Sequence, residues 1–258
     1  MDSISNEVVQ LNSEIEKIIY HSFVLKYIDQ PNINDDMIAV MVKILHDAKV
    51  DQRIRPYYII SVMLMQIALD THENVSNTEE GETPIQLRQR QLSILAGDYY
   101  SSMYYHILAK TKDIEFINRI SKGVQEVNEA KVRLYMDKDT DPNTIIKHLC
   151  KIETLLVDKT AEYFNVTEQK DLIINFLLLK RLYAELEAFR KNTKSNFIQV
   201  LQSIHTVFDN QEDKISYLLN QAIKDVSEKL KLSILNLDSR DELVIRIKES
   251  IKESQDIK

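Results

Sequence analysis

Apolar residues return every three or four positions along almost the whole chain, the spacing of one face of an α-helix. Val8, Leu11, Ile15, Ile18, Ile19 and Phe23 share such a face and predict a first helix over residues 4–28, ended by Pro31. Asn34 stands as N-cap of a second helix to about residue 46, with Met37, Val40, Met41, Ile44 and Leu45 turned inward. Pro56 opens a third, to about residue 75, whose stretch from Tyr57 to Leu69 is apolar on nearly every side and predicts a buried helix. Residues 76–83 form a polar loop. Thr83, Pro84 and Gln86 then combine an N-cap, a proline at the first helical position and a capping box, so a fourth helix starts here and runs to about 109. A fifth covers about 112–136. Asp141-Pro142 opens a sixth, to about 164, and Thr167 caps a seventh, to about 190, that carries the apolar run Leu172 to Leu179. Shorter patterns follow near 195–208, 211–232 and 239–255. The last has a thin apolar face (Leu243, Val244, Ile247, Ile251) and is expected to be peripheral over 239–258.

Composition agrees with this pattern. Three glycines and four prolines in 258 residues leave few tight turns, so strands joined by hairpins are not expected. The fold class is all-α: a single helical bundle of about nine or ten helices, one domain over 1–258, with no repeat of 20–50 residues. A formal charge of −7 with interspersed signs argues against nucleic-acid binding, which needs a basic stripe. Cys150 is the one cysteine, which excludes an internal disulfide and fits a reducing compartment. Asp2 and Glu7 precede any basic residue, and no apolar run of a secretory signal follows. The stretch Tyr57 to Leu69 contains Ser61 and Gln66 and is too short to span a bilayer. The expected location is the cytoplasm.

Most candidate chemistry falls away on spacing. His72-Glu73 would begin a zinc-protease motif, but the second ligand position holds Ser76. Asp137, Asp139 and Asp141 are spaced like the start of a calcium loop, yet its sixth and twelfth positions are Pro142 and His148, not Gly and Glu. Asp35-Asp36 follows Asn34 at a helix start, where carboxylates favour the dipole. Cys150 lies between Leu149 and Ile152 and reads as core. Lys180-Arg181 and Arg190-Lys191 read as helix surface, and no glycine-rich phosphate loop exists. No catalytic residue and no metal site is expected in this chain.

One segment stands apart. Residues 95–105 read Leu-Ala-Gly-Asp-Tyr-Tyr-Ser-Ser-Met-Tyr-Tyr. Gly97 sits mid-helix at a cost of about 1 kcal/mol against alanine. It is four residues from Ser101, so a close approach by a helix backbone is expected there. Tyr99, Tyr100, Tyr104 and Tyr105 cover nearly the whole circumference, and such a helix is buried in the core or at a subunit interface. The residues alone leave both open.

Leu95-Ala96-Gly97-Asp98-Tyr99 resembles the Leu-Ala-Gly-Asp-Tyr/Phe helix of trans-prenyltransferases, proteins of the isoprenoid synthase fold. In that family a helix ending in His-Asp-Asp-x-x-Asp comes first, then a loop, then this helix. The same order holds here, with His72-Glu73-Asn74-Val75-Ser76-Asn77 in place of the acidic motif. The metal motif is therefore degenerate: Glu73, Asn74 and Asn77 replace the three aspartates that hold Mg²⁺ and the allylic diphosphate. A second aspartate-rich motif is also missing, since 143–258 contains no adjacent Asp-Asp pair. Mg²⁺ prefers anionic oxygens, and one carboxylate does not replace three.

The phrases Gln66-Ile-Ala-Leu-Asp-Thr-His72 and Leu95-Ala-Gly-Asp-Tyr-Tyr-Ser101 are similar to the component 1 family of two-part heptaprenyl diphosphate synthases. That resemblance implies a heteromer with a catalytic component 2, which carries Mg²⁺ and condenses farnesyl diphosphate with isopentenyl diphosphate for the menaquinone side chain. This chain would bind no cofactor, meet the allylic and isopentenyl diphosphates only through its partner, and help set product length. It also implies a partner interface on the Leu-Ala-Gly-Asp helix: Gly97, Asp98, Tyr99, Tyr100, Ser101, Met103, Tyr104 and Ile107. Asp98 is expected to be structural, bonded across helices. Two rivals remain at this point: a self-sufficient prenyl synthase, and a helical scaffold or adaptor unrelated to isoprenoids.

Overall fold

A computed structural model describes residues 3–75, 83–136, 141–193, 195–204, 211–235 and 237–256. Among them the backbone forms ten α-helices and no strand. They are α1 (Ile4–Ile19), α2 (Asp35–Asp47), α3 (Arg55–Glu73), α4 (Pro84–Leu108), α5 (Ile114–Met136), α6 (Pro142–Tyr163), α7 (Lys170–Arg190), α8 (Asn196–Ile204), α9 (Gln211–Ser233) and α10 (Glu242–Asp256). The all-α class expected from the periodicity is what the chain adopts. Its contacts group into two compact units, residues 1–120 and 121–258, with the boundary inside α5.

In the first unit α3 is the central element. Residues 58–69 are all buried, including Ser61 and Gln66, as its all-round apolarity requires. Each large apolar side chain so buried contributes about 1.5–3 kcal/mol relative to exposure. The helix α4 lies along α3, and α1 and α2 pack on α3 and on each other. Polar bonds at the edges fix the register. Glu7 of α1 meets His46 of α2 at 2.8 Å and Arg55 at the start of α3 at 3.7 Å. Asn12 donates to Asp35 at 2.5 Å. The Tyr58 hydroxyl donates to Asp113 at 2.8 Å, whose other oxygen accepts the Phe116 N–H at 3.0 Å and so caps α5. The Tyr58 and Phe116 rings meet edge to face with centroids 4.9 Å apart.

The N-terminal caps follow the chemistry read from the sequence. Asn34 accepts from the Met37 N–H at 3.0 Å, with Asp35 and Asp36 in the first turn of α2. Thr83 and Gln86 form the capping box, with Pro84 at the first helical position. Two expectations about helix ends are corrected. The first helix does not reach residue 28: it stops at Ile19, Tyr20 is extended, and only a short 3₁₀ turn follows at Val24–Lys26. Tertiary contacts outweigh periodicity here. The Tyr100 hydroxyl donates to the Ile19 carbonyl at 3.4 Å, and Arg88 of α4 lies over the Tyr27 ring at 5.7 Å. Phe23, expected on the buried face, is exposed. The second correction concerns Thr167, whose carbonyl accepts the Lys170 N–H at 3.2 Å. The cap position of α7 belongs to Gln169, without a side-chain bond.

In the second unit α7 plays the central part, burying Leu172, Ile173, Phe176, Leu177, Leu178, Leu179, Leu182 and Leu186. It packs against α6, α8, α9 and α10. The thin face of α10, Leu243, Val244, Ile247 and Ile251, is buried in full, against α9 and α7. Gly123 permits the approach of α6 to α5, since a Cβ there would lie 3.1 Å from Leu156 Cδ2 and 3.3 Å from Lys159 Cγ. The latter residue's ammonium pairs with Glu126 at 2.9 Å. Arg181, expected on the surface, is instead held inward. It meets Glu153 of α6 at 3.0 Å and Glu185, one turn on, at 2.7 Å. The Ser195 hydroxyl donates to Glu185 at 2.5 Å. The i,i+4 spacing of Arg181 and Glu185 was visible in sequence, but the matching carboxylate on α6 depends on how the helices pack.

Candidate functional site

The segments singled out in sequence meet where the C-terminal end of α3 lies beside the middle of α4, in the first unit. The helix α3 ends because Asn74 takes the C-cap position, its N–H returning to the His72 carbonyl. Before that end, Thr71 bonds back to the Ile67 carbonyl at 2.7 Å, and Gln66 donates to Asp70 at 3.0 Å. The next polar residues are the degenerate motif itself. Glu73 is half-buried and Asn74 exposed, while Asn77 lies outside the described residues, as do Ser76, Asp137 and Asp139.

Gly97 has a specific steric role. A Cβ at this position would stand 2.6 Å from His72 Cε1 and Nε2 and 2.8 Å from Cδ2, inside van der Waals contact. The imidazole of α3 therefore occupies the space that any larger residue of α4 would need. The close approach expected at Gly97 was that of a helix backbone; what fills the space is instead a side chain, the imidazole of His72. Beside it, Asp98 Oδ1 lies 3.5 Å from His72 Nε2, an ion pair when the imidazole is protonated. The two side chains are 40% and 65% exposed, so the pair is worth at most about 1 kcal/mol.

The tyrosine cluster is divided between two environments. Tyr100, Tyr104 and Ile107 are buried within the chain, with Gly97 and Ala96 on the same side. Burial pushes the Tyr100 phenol above its usual range, the neighbouring Tyr99 adding to the effect. Ser101 and Met103 are half-buried. The hydroxyls of Ser101 and Ser102 return to the Asp98 carbonyl at 2.9 and 2.8 Å. Leu95, Asp98, Tyr99, Ser102 and Tyr105 face solvent, Leu95 and Tyr99 being 61% and 49% exposed. Each outer tyrosine leans on an inner one: Tyr99 on Tyr100 with centroids 5.9 Å apart, and Tyr105 on Tyr104 at 4.6 Å. Of the expected interface residues, Asp98 and Tyr99 thus lie on the outer face, and Tyr100, Tyr104 and Ile107 support it from inside. Leu95, Ser102 and Tyr105 were not in that set. The helical register of Leu95, Tyr99 and Ser102, steps of four and three, is the signal that points to them.

Of the motif positions described, 73 and 74, only Glu73 carries a carboxylate, and the adjoining amide of Asn74 is a weak ligand for Mg²⁺. This donor set does not fit a cluster that holds a diphosphate. Among the described residues no three of His, Cys, Asp and Glu come together in a set that could hold a metal ion. Cys150 is half-buried, and burial raises its thiol above the ordinary range, which makes it a poor nucleophile. No helix of the described residues is long and apolar enough to cross a membrane.

The profile of the family described as heptaprenyl diphosphate synthase subunit 1 matches residues 21–234. Heptaprenyl diphosphate synthase component 1 of Geobacillus stearothermophilus is 38% identical over 146 residues, which cover 57% of this chain and 64% of that relative, a little under two thirds. Among solved structures, a decaprenyl diphosphate synthase from Rhodobacter capsulatus superposes with a TM-score of 0.68 at 10% identity, covering 97% of both chains. Heptaprenyl diphosphate synthase from Staphylococcus aureus gives 0.64 at 12% identity, covering 98% of both. At such low identity these two likenesses establish the fold alone.

Proposed function

The chain belongs to the heptaprenyl diphosphate synthase subunit 1 family, and on that premise we propose that it is the non-catalytic subunit of a heteromeric long-chain polyprenyl diphosphate synthase. The observation that carries the reading is the end of α3. Where the resemblance to trans-prenyltransferases places three aspartates, the chain has Glu73, Asn74 and, three residues on in sequence, Asn77. Ionisation of an allylic diphosphate needs cations to take up the charge of the departing group. The degenerate motif offers one carboxylate, Glu73, and residues 143–258 contain no adjacent aspartate pair to supply the rest. In this reading the Mg²⁺ and both diphosphates are bound by the catalytic component 2, which condenses farnesyl with isopentenyl diphosphate in the cytoplasm for a menaquinone side chain.

The contribution of this subunit is a surface. Leu95, Tyr99, Ser102 and Tyr105 form the outer face of α4 and supply the contact with the partner, stiffened from behind by Tyr100, Tyr104 and Ile107. Tyrosines with one apolar side and one polar tip suit such a face. By docking there, the subunit stabilises the catalytic component and bounds the growing chain.

The test is co-purification with component 2, followed by product analysis with and without this chain. Long products are expected from the pair only. Elongation by the lone chain with both diphosphates and Mg²⁺ would overturn the non-catalytic assignment. Replacing Leu95 and Tyr99 by glutamate is expected to weaken association at least tenfold while the variant alone keeps its thermal midpoint. Undiminished association would remove α4 from the interface.

A further inference from the structure

We draw no further inference here: the strongest candidate, the outward seam of α5 that runs through Val124, Val132 and Met136, is an apolar surface, and nothing in the structure shows what covers it.

Discussion

The central helices of the two units, α3 and α7, handle charge in opposite ways. Along its buried length, residues 58–69, α3 admits only uncharged polar groups such as Ser61 and Gln66 and keeps its charged residues to its ends: Arg55 meets Glu7 of α1 at the first, and at the second His72 and Asp98 of α4 meet in contact with solvent. By contrast, α7 takes Arg181 and Glu185 into its packed surface and joins them to Glu153 of α6. The carboxylate side chains there are 8% and 6% exposed. An exposed pair exchanges one set of water contacts for another and gains little. A buried cluster has already lost its water, so each member depends on the others. The same kinds of residue therefore stabilise the two units through very different margins, and substitution can measure the difference.

The largest effect is expected at Arg181. Arg181→Met removes the guanidinium that Glu153 and Glu185 share and should cost about 3 kcal/mol or more, read as a lower urea midpoint. His72→Ala should cost no more than about 1 kcal/mol by the same measurement. Equal losses would break the contrast between the two helices. Replacing Arg181, Glu153 and Glu185 together by apolar residues should recover most of the single-site loss, because no buried charge is then left alone.

Gly97 gives the next effect and sharpens the account of α4. In the native background Gly97→Ala forces the imidazole of His72 away from its position and should bring little or no gain. In the His72→Ala background the obstacle is gone, and the same change should stabilise by about 1 kcal/mol through helix propensity. A double-mutant cycle should show coupling of at least about 0.5 kcal/mol. Strict additivity would mean that His72 is not what Gly97 accommodates. Thr83→Ala, which opens the capping box of α4, should cost about 1 kcal/mol and speed hydrogen exchange in its first turn.

The smallest effect concerns pH and the exposed start of α6. The Thr144 hydroxyl, 2.5 Å from Asp141, and its backbone N–H hold the Asp141 carboxyl below the usual carboxylate range. A group with a depressed folded value stabilises above its unfolded value, and that contribution fades as pH falls through the folded one. Asp141→Asn keeps a capping oxygen but removes the charge, so its difference from the native chain should be present at neutral pH and vanish in acid. A difference that persists unchanged below the ordinary carboxylate range would contradict this origin.

Much of the fold is legible in the sequence. The caps at Asn34, Thr83 and Asp141 and the buried run of α3 are local, and each is written in a few neighbouring residues. The end of α1 is not, because no glycine or proline follows Ile19 before Pro31 and the chain turns toward contacts made by Arg88 and Tyr100, far along the sequence. Thr167 shows the same limit: a residue able to cap does so only if the backbone places its side chain over the helix end.

By itself the sequence determined that this protein is all-α, that it resembles a prenyl diphosphate synthase subunit, and that its first motif lacks the aspartates for metal-bound diphosphate. These are matters of residue type and spacing, which need no third dimension. Only the tertiary structure decided which tyrosines of α4 face inward, that His72 is what Gly97 makes room for, and that Arg181 is locked between carboxylates on two helices. Helical periodicity tells which residues share a face. It does not tell which neighbouring helix covers that face, because burial is set by contacts between residues distant in the chain.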